Sequence, residues 1–292
     1  MMTKHSLPVP FIVGVPRSGT TLLRLMLDSH PDLCIPPETH FIPGLVQACV
    51  KQNTAQKFIQ SLLSHPRWPD FHLDQTVLIQ TVLQLNPFTV EQGIKVFYDL
   101  YAEKSGKTRW GDKTPGYMMH MNQIEKLIPG VRFIHVIRDG RDVFLSVRDL
   151  WWGPNTADAA ADLWKKSIQQ ARSQARGLQH YLEIHFEALV AETEPVLKQI
   201  CDFIQLDYTP GMLQYHLRAD QRLQELDREV LAPDGRKISS FQRKAIFEQV
   251  RCKPNLSRTR RWEHGMSAPE KAIFLDVAGD MLQDLGYVRS TD

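Results

Sequence analysis

The feature of this sequence that most constrains its fold is a glycine-bounded loop at residues 14–21, which reads GVPRSGTT. An apolar run from Pro10 to Val15 precedes the loop and predicts a buried strand, and an apolar segment from Thr20 to Asp28 follows it and predicts a helix. At such a strand-to-helix turn the backbone N–H groups point outward at the positive end of the helix. The segment therefore predicts an anion site at the edge of a sheet.

The loop departs at one position from the nucleotide-phosphate motif GxxxxGK[ST], because Thr20 stands where that motif has its lysine. A lysine there would reach the β- and γ-phosphates of ATP or GTP, and the hydroxyl after it would hold Mg²⁺. The candidate anion-binding residues of this loop are Arg17, Ser18, Gly19, Thr20 and Thr21. They predict a site for a phosphate ester that is not a triphosphate; the alternative is a plain glycine turn before a core helix.

Length and composition are typical of a soluble enzyme. The chain has 292 residues, 42% hydrophobic and 23% charged, so it can form one large α/β domain or two small ones. Its formal net charge of +2 gives no support for a nucleic-acid partner. No apolar stretch approaches the length that crosses a membrane, and the first fifteen residues lack the order of a signal peptide. We therefore expect a cytoplasmic protein without a membrane span.

Cysteine and histidine spacing gives no indication of a metal site. The cysteines lie far apart without a CxxC pair, and we expect reduced, mostly packing thiols rather than disulfides or structural zinc. These cysteines are Cys34, Cys49, Cys201 and Cys252. The histidines form no HxxxH or HxH pattern, so we expect no catalytic metal.

Strands and helices alternate along much of the chain. The apolar runs Val131 to Ile137 and Tyr181 to Phe186 predict strands, and helical patterns at about 140–150 and 193–206 follow them. This alternation predicts a P-loop-like α/β fold with a mainly parallel sheet of about five strands and helices on both faces. Ligands of such sheets bind at the carboxyl ends of the strands.

Two further regions complete the predicted single domain. Residues 41–105 show helical patterns interrupted by prolines and are interpreted as a helical insertion that shapes an acceptor pocket. Residues 218–261 are highly charged, contain Pro233, and show weak periodicity, so we expect a mobile or ligand-ordered segment there. A last helix is predicted at roughly 268–285.

A second informative segment is the sequence VRFIHVIRDGRDVFLS at residues 131–146. Its strand ends at Arg138, Asp139 can cap the next helix, and Ser146 lies about two turns into that helix. Arg138 and Ser146 could then converge on one anion. By itself this arginine is more often part of a surface ion pair, but a second anion site beside the first loop makes the functional interpretation stronger.

Taken together, these segments resemble the sulfotransferases that use 3′-phosphoadenosine 5′-phosphosulfate (PAPS). The run PRSGTTL at 16–22 resembles their 5′-phosphosulfate loop, and Arg138 with Ser146 resembles their 3′-phosphate site. The runs LDSHP at 27–31 and PET at 37–39 place the likeness closest to the branch that contains the tyrosylprotein sulfotransferases. PAPS carries two separate anionic groups, so it requires two anion sites on one sheet and no triphosphate lysine.

By resemblance, Glu38 matches the catalytic glutamate of this family and is the first candidate for the base that activates the acceptor oxygen. The structural alternative is a glutamate in the first turn of a helix, where the helix dipole favours it. His40 is the second candidate, since some sulfotransferases use a histidine base. His40 also stands where the tyrosylprotein branch has an arginine, which weakens the case for a tyrosyl-peptide acceptor.

Lys113, in WGDKTP at 110–115, resembles the family lysine that contacts the oxygen bridging phosphate and sulfate; a solvated lysine in a turn is the alternative.

The basic run SRTRRW at 257–262 resembles a late loop that closes over the 3′-phosphate, with Arg260 or Arg261 as the contact, although most charge runs are only solvated. Trp151 and Trp152 are expected to be buried or to line the acceptor pocket, with burial preferred.

These observations and the resemblance predict an enzyme that moves a sulfuryl group from PAPS to an acceptor hydroxyl, with adenosine 3′,5′-bisphosphate (PAP) as product and no metal. The acceptor is a small molecule, sugar, lipid or peptide, and the oligomeric state is left open, with a homodimer as one alternative. Two other functions are considered: a P-loop kinase or NTPase with a lysine-less loop, and a noncatalytic nucleotide-binding module. An intact pair of Glu38 and Lys113 argues against the last.

Overall fold

The computed structural model describes residues 7–231 and 235–288 of the chain. Its strands are β1 (Val9–Gly14), β2 (Leu33–Cys34), β3 (Arg109–Trp110), β4 (Asp112–Lys113), β5 (Val131–Ile137), β6 (Tyr181–His185), β7 (Val230–Leu231) and β8 (Lys237–Ile238). The central sheet has the order β4-β1-β5-β6, and all of its neighbouring strands are parallel. The predicted α/β class with a parallel sheet is confirmed.

The central sheet has four strands, and β2 and β3 form a separate two-stranded parallel pair next to β4. β2 pairs in parallel with β3, which is joined to β4 through Gly111 alone, and the Gly111 amide donates to the Cys34 carbonyl at 2.9 Å. The parallel sheet therefore has one strand fewer than the number of about five that the sequence predicts. β7 and β8 form a separate antiparallel pair.

The α-helices are α1 (Thr20–Asp28), α2 (Ile42–Cys49), α3 (Ala55–Leu63), α4 (Gln75–Leu83), α5 (Val90–Lys104), α6 (Met121–Leu127), α7 (Gly140–Val147), α8 (Ala157–Ala175), α9 (Phe186–Ala191), α10 (Thr193–Ile204), α11 (Ala219–Leu223), α12 (Ser240–Ala245), α13 (Trp262–Gly265) and α14 (Ala268–Asp284). Short 3₁₀ turns lie at Trp68–Phe71, Pro115–Met119, Pro210–Arg218, Gln224–Leu226, Glu248–Arg251 and Leu256–Arg258. The helices predicted after β1 and β5 and at the chain end are all present. α7 ends three residues earlier than the pattern suggested.

Helices cover both faces of the sheet because side chains alternate along each strand. In β1, Phe11 and Val13 belong to the core that includes the α2–α5 region, α8 and α14. Ile12 points the other way and packs in the core that includes α1 and α10. With both faces buried, the polar ends of the strands are the part of the sheet left to bind ligands.

The region predicted as a helical insertion contains α2 to α5, which pack around a cluster of aromatic rings. The Phe41 and Phe71 rings meet Phe97 edge-on, with ring centroids 4.8 and 4.9 Å apart respectively. Asp70, fully buried beside this cluster, accepts hydrogen bonds from Arg228 at 2.5 Å and Arg243 at 2.8 Å. These ion pairs attach the insertion to the charged segment at 218–261.

The segment at 218–261 consists of short elements joined by polar contacts. Glu225 accepts a hydrogen bond from Arg24 of α1 at 2.7 Å and pairs with Arg222 at 2.8 Å. Pro233 lies outside the described residues, and the mobility of this segment stays a prediction, as does the single-domain organisation. Among the helices of residues 7–231 and 235–288, none is long and apolar enough to cross a membrane.

The four cysteines all lie in the described parts of the chain and are free thiols. Cys34, Cys49 and Cys201 are buried and pack in the core, whereas Cys252 is exposed. Burial raises the pKa of the Cys34 thiol to about 12, so it stays protonated and inert at neutral pH.

Candidate active site

The loop after β1 is bent by two residues with positive φ, Arg17 at 75° and Gly19 at 95°. The Ser18 amide donates to the Val15 carbonyl at 3.1 Å, which closes the turn. A side chain at Gly19 would overlap the ring of Phe186, so the close approach of α1 to this ring requires glycine. The turn leads directly into α1. The first N–H groups of this helix have no acceptor within the helix and can therefore bind an anion.

Arg17 and Ser18 present buried polar atoms that the protein itself does not satisfy. Arg17 donates through Nη2 to the Ile246 carbonyl at 2.9 Å, but its Nε and the Ser18 hydroxyl have no hydrogen-bond partner within the described residues. Burial, together with the charges of Arg138 and Arg258, lowers the pKa of Arg17 to about 10. An anionic ligand would accept hydrogen bonds from these unpaired buried donors and would reduce the repulsion among the neighbouring arginines.

Arg138 follows β5, which pairs with β1, so its side chain reaches the same edge of the sheet as the loop. Its guanidinium donates through Nη1 to the Arg17 carbonyl at 2.9 Å and the Ser146 hydroxyl at 3.4 Å, and through Nη2 to the Arg258 carbonyl at 2.6 Å. It also lies 4.6 Å above the Phe186 ring. The structure therefore brings Arg138 and Ser146 together beside the first loop.

The helix that carries Ser146 begins as the sequence predicts. Asp139 is the N-cap of α7, and its carboxylate accepts a hydrogen bond from the Arg141 amide at 2.9 Å. The same carboxylate is paired twice with the Arg141 guanidinium, at 3.0 and 2.7 Å. This cap fixes the start of α7 and with it the orientation of Arg138 and Ser146.

Glu38 lies in the loop between β2 and α2, with both carboxylate oxygens engaged. Lys113 donates to Oε1 at 2.6 Å, and His40 donates through Nε2 to Oε2 at 2.9 Å. Burial acts to raise the pKa of Glu38, but Lys113 and the hydrogen bond from His40 outweigh it and hold that pKa well below its usual range. Glu38 is therefore ionised at neutral pH.

Lys113 reaches from the sheet toward the loop after β1. It occupies the end of β4 beside β1, is only 2% exposed, and donates a second hydrogen bond to the Thr21 hydroxyl at 3.1 Å. Burial lowers its pKa, although the charge of Glu38 opposes this shift. Its ammonium group thus lies between the candidate base and the first helical turn of the anion loop.

A buried hydrogen-bond network supports the strand and the loop that carry Lys113 and Glu38. The Thr39 hydroxyl donates to Asp112 at 2.8 Å and is 2.7 Å from the Tyr117 hydroxyl. Tyr98 also donates to Asp112 at 2.8 Å, and the Thr39 amide donates to the Thr114 hydroxyl at 3.0 Å. Residues on both sides of Lys113 are thus tied to the neighbour of Glu38, which sets the distance between the two charged groups.

Several sequence-based alternatives are corrected by these positions. Glu38 precedes α2 by four residues and so is not in a first helical turn, and Lys113 is buried rather than solvated. The Arg260 side chain is 76% exposed and paired with Glu263, and its backbone has a positive φ of 57°. Arg258, in contrast, lines the cavity that contains Arg17 and Arg138. Arg261 lies near enough to lower the pKa of both Arg138 and Arg258.

Trp151 and Trp152 are 42% and 39% exposed, so the preferred expectation of burial is wrong. Both line a cavity of about 710 Å³, and so do eight of the candidate site residues: Arg17, Gly19, Thr20, Thr21, Glu38, His40, Lys113 and Arg138. The candidates Ser18, Ser146, Arg260 and Arg261 are not part of this lining. Residues of this cavity that the sequence did not indicate include Arg24, Arg67, Phe186, Ile246, Phe247 and Arg258. Its volume suits a ligand of nucleotide size together with part of a second molecule.

A sequence model of a protein family, described as "Sulfotransferase family", matches residues 8–210, which is well over half of the chain. The Protein-tyrosine sulfotransferase of Drosophila melanogaster is 25% identical over 97% of this chain, and Protein-tyrosine sulfotransferase A of Caenorhabditis elegans is 25% identical over 96%. The chain spans 52% of the Drosophila protein and 67% of the Caenorhabditis protein.

A solved structure, the sulfotransferase domain from the Synechococcus PCC 7002 olefin synthase, is similar in fold. It has a TM-score of 0.62 and 22% identity, and the match covers 97% of this chain and 98% of that domain. The match of the family model over most of the chain, supported by these relatives, shows that the chain belongs to the sulfotransferase family.

Proposed function

We propose that the protein transfers a sulfuryl group from PAPS to an acceptor hydroxyl. The observation that carries this proposal is the hydrogen bond from Arg138 to the Arg17 carbonyl. It places two positively charged candidate sites for anions, one at Arg17 and one at Arg138, side by side in one cavity. A donor with a 5′-phosphosulfate and a separate 3′-phosphate would occupy both. Membership of the sulfotransferase family supports the same donor.

The residues present fit PAPS. The buried Arg17 Nε, Ser18 hydroxyl and Arg138 Nε have no partner among the described residues, so a ligand with anions at these points would satisfy them. In this proposal Arg17, Ser18, Gly19, Thr20 and Thr21 hold the 5′-phosphosulfate. Arg138 and Ser146 hold the 3′-phosphate, with Arg258 or Arg261 closing over it.

The chemistry proposed for the transfer uses the Glu38 and Lys113 pair. PAPS supplies an activated sulfuryl group. Glu38 would accept the proton of the acceptor hydroxyl, and Lys113 would stabilise the negative charge that develops on the departing phosphate oxygen. Lys113 donates a hydrogen bond to Oε1 of Glu38, so a movement of Lys113 toward the departing phosphate oxygen would free Oε1 to act as the base. His40 would keep Oε2 oriented.

The acceptor side of the cavity is open to several substrate classes. Its lining combines the exposed rings of Trp151 and Trp152 with the cation of Arg67. The relatives named for tyrosine sulfation make a tyrosyl hydroxyl one candidate, beside small molecules, sugars and lipids. A screen of hydroxyl acceptors with sulfur-labelled PAPS would identify the class; the cytoplasmic location expected from the sequence stays a prediction.

The nucleotide assignment predicts a ligand preference that can be measured without an acceptor. PAP should raise the melting temperature by several degrees, because ligand at about a hundred times its Kd stabilises the fold by ~2.7 kcal/mol. AMP and ATP should give much smaller shifts, since neither fills both anion sites. Arg138→Ala should remove most of the preference for PAP over AMP.

Arg132→Ala is the matched control, because Arg132 lies on the same strand and donates to the Phe203 carbonyl, far from the loop. It should retain the preference for PAP. Equal shifts with PAP and AMP in the wild type would contradict the two-site proposal and remove its main support.

Metal dependence separates this proposal from the kinase alternative. Arginine and lysine side chains would supply the positive charge at the phosphosulfate, so the transfer should retain full activity in EDTA. Phosphoryl transfer from ATP depends on Mg²⁺. Activity that EDTA abolishes and Mg²⁺ restores would favour a kinase or NTPase.

A further inference from the structure

Asp142 is a buried carboxylate at the point where Arg138, Ser146 and the late basic segment meet. It lies in the first turn of α7 and is completely buried. One carboxylate oxygen, Oδ1, accepts a hydrogen bond from the Trp262 amide at 2.9 Å. The other, Oδ2, lies 3.8 Å from Nη2 of Arg138 and makes no hydrogen bond within the described residues.

The backbone of Asp142 also contacts the second anion site. Its carbonyl accepts a hydrogen bond from the Ser146 hydroxyl at 2.9 Å, and that hydroxyl is in turn 3.4 Å from Arg138. One residue therefore touches both members of this site and the amide at the end of the basic run.

A second set of contacts holds Trp262 in place from its other side. The Arg141 guanidinium lies 3.4 Å from the centroid of the Trp262 ring and is itself paired with the Asp139 carboxylate. Trp262 follows Arg261 directly, so a fixed Trp262 amide limits where Arg261 and the preceding Arg258 can lie. The Arg258 carbonyl is already bound to Arg138.

We propose that Asp142 is a positioning residue that holds Arg138 and the 258–262 segment in the arrangement that receives the 3′-phosphate. This inference rests on the proposed function. A carboxylate near a phosphate site is unfavourable by charge alone, because the two negative groups repel. Its burial beside Arg138 is explained if the gain from orienting two or more cations exceeds that repulsion.

Repulsion of the phosphate and orientation of Arg138 predict opposite changes in PAP affinity when Asp142 loses its charge. Asp142→Asn keeps the size of the side chain and an oxygen for the Trp262 amide, but it removes the charge that attracts Arg138. If the main effect of Asp142 is to repel the phosphate, the variant should bind PAP more tightly than the wild type does. If Asp142 positions Arg138, the variant should bind PAP roughly 10-fold more weakly, as expected when a supporting contact of a binding residue is lost.

The experiment measures the Kd of PAP and of AMP by calorimetry for the wild type, Asp142→Asn and the control Glu183→Gln. The expected result is a loss of affinity for PAP in Asp142→Asn with AMP affinity unchanged, because AMP does not use the 3′-phosphate site. Glu183 is a half-buried carboxylate on β6 paired with Arg172, so its variant reports a general loss of stability and should leave the ratio of the two Kd values unchanged.

Tighter or unchanged PAP binding in Asp142→Asn, or equal weakening of PAP and AMP, would overturn the positioning role. The proposed function is judged separately from the wild type. A wild-type protein that prefers PAP while Asp142→Asn behaves normally would retain the sulfotransferase proposal and lose only this inference. If Asp142→Asn does not fold, Asp142→Glu keeps the charge but displaces the carboxylate by one methylene group. This variant should also weaken PAP selectively, and unchanged PAP binding would overturn the positioning role.

Discussion

Glu38→Gln is expected to lower kcat by ~10²-fold or more while leaving the affinity for PAP nearly unchanged. Glutamine retains the size of the side chain and an oxygen that can accept the hydrogen bond from Lys113, but it cannot take a proton from the acceptor. The measurement is sulfur-label transfer to the acceptor that a screen identifies, together with calorimetric titration by PAP. A selective loss of kcat would assign Glu38 to the chemical step rather than to nucleotide binding.

His40 provides the comparison for this variant. His40→Gln keeps a hydrogen-bond donor beside Oε2 of Glu38, so it should reduce kcat much less than Glu38→Gln does. The exposed Glu91, at the start of α5, gives a matched Glu91→Gln control that should behave as the wild type. Wild-type turnover in Glu38→Gln combined with loss in His40→Ala would move the role of base to His40.

Lys113→Met is expected to lower kcat by ~10²- to 10³-fold, because the developing charge on the leaving oxygen would lose its nearest cation. It should also change the pH profile. If Glu38 is the base, activity of the wild type should be lost only as the pH falls through the pKa of Glu38, which is held well below the usual glutamate range. Without the charge of Lys113, less opposes the effect of burial, so the pKa of Glu38 rises. The acid limb of kcat/KM should then move to higher pH.

Lys107→Met is the control for this pair of effects. Lys107 is a second largely buried lysine, but it donates to the main-chain carbonyls of Asp28 and Leu33, away from Glu38. Its variant should melt at lower temperature and keep the acid limb of the wild type. An acid limb that stays in place in Lys113→Met would mean that Lys113 does not govern the ionisation of Glu38.

The local sequence predicted the elements that position the candidate site because their patterns are strong and short. The apolar runs of β1, β5 and β6 and the cap at Asp139 depend on neighbouring residues only, and all of them are present. The convergence of Arg138 and Ser146 also follows from helical spacing. These are the parts of the site in which the chain needs no distant partner to set the geometry.

The other walls of the cavity could not be predicted because they depend on contacts between distant parts of the chain. The Ile246 carbonyl that holds Arg17 lies 229 residues away from it in sequence. Arg258 and Arg260 look equivalent in the basic run, yet Arg258 lines the cavity and the Arg260 side chain is exposed. The exposure of Trp151 and Trp152 likewise depends on which residues surround them in three dimensions.

The ring of Phe186 has a consequence for which nucleotides the protein can distinguish. It packs against Gly19 of the loop and lies under the Arg138 guanidinium, so one apolar ring contacts residues of both proposed anion sites. In the proposed function, this shared contact would keep the loop and Arg138 at a fixed distance from each other. We therefore expect a donor whose anionic groups are held apart by a ribose to fit both sites better than a nucleoside triphosphate, whose phosphates are joined directly.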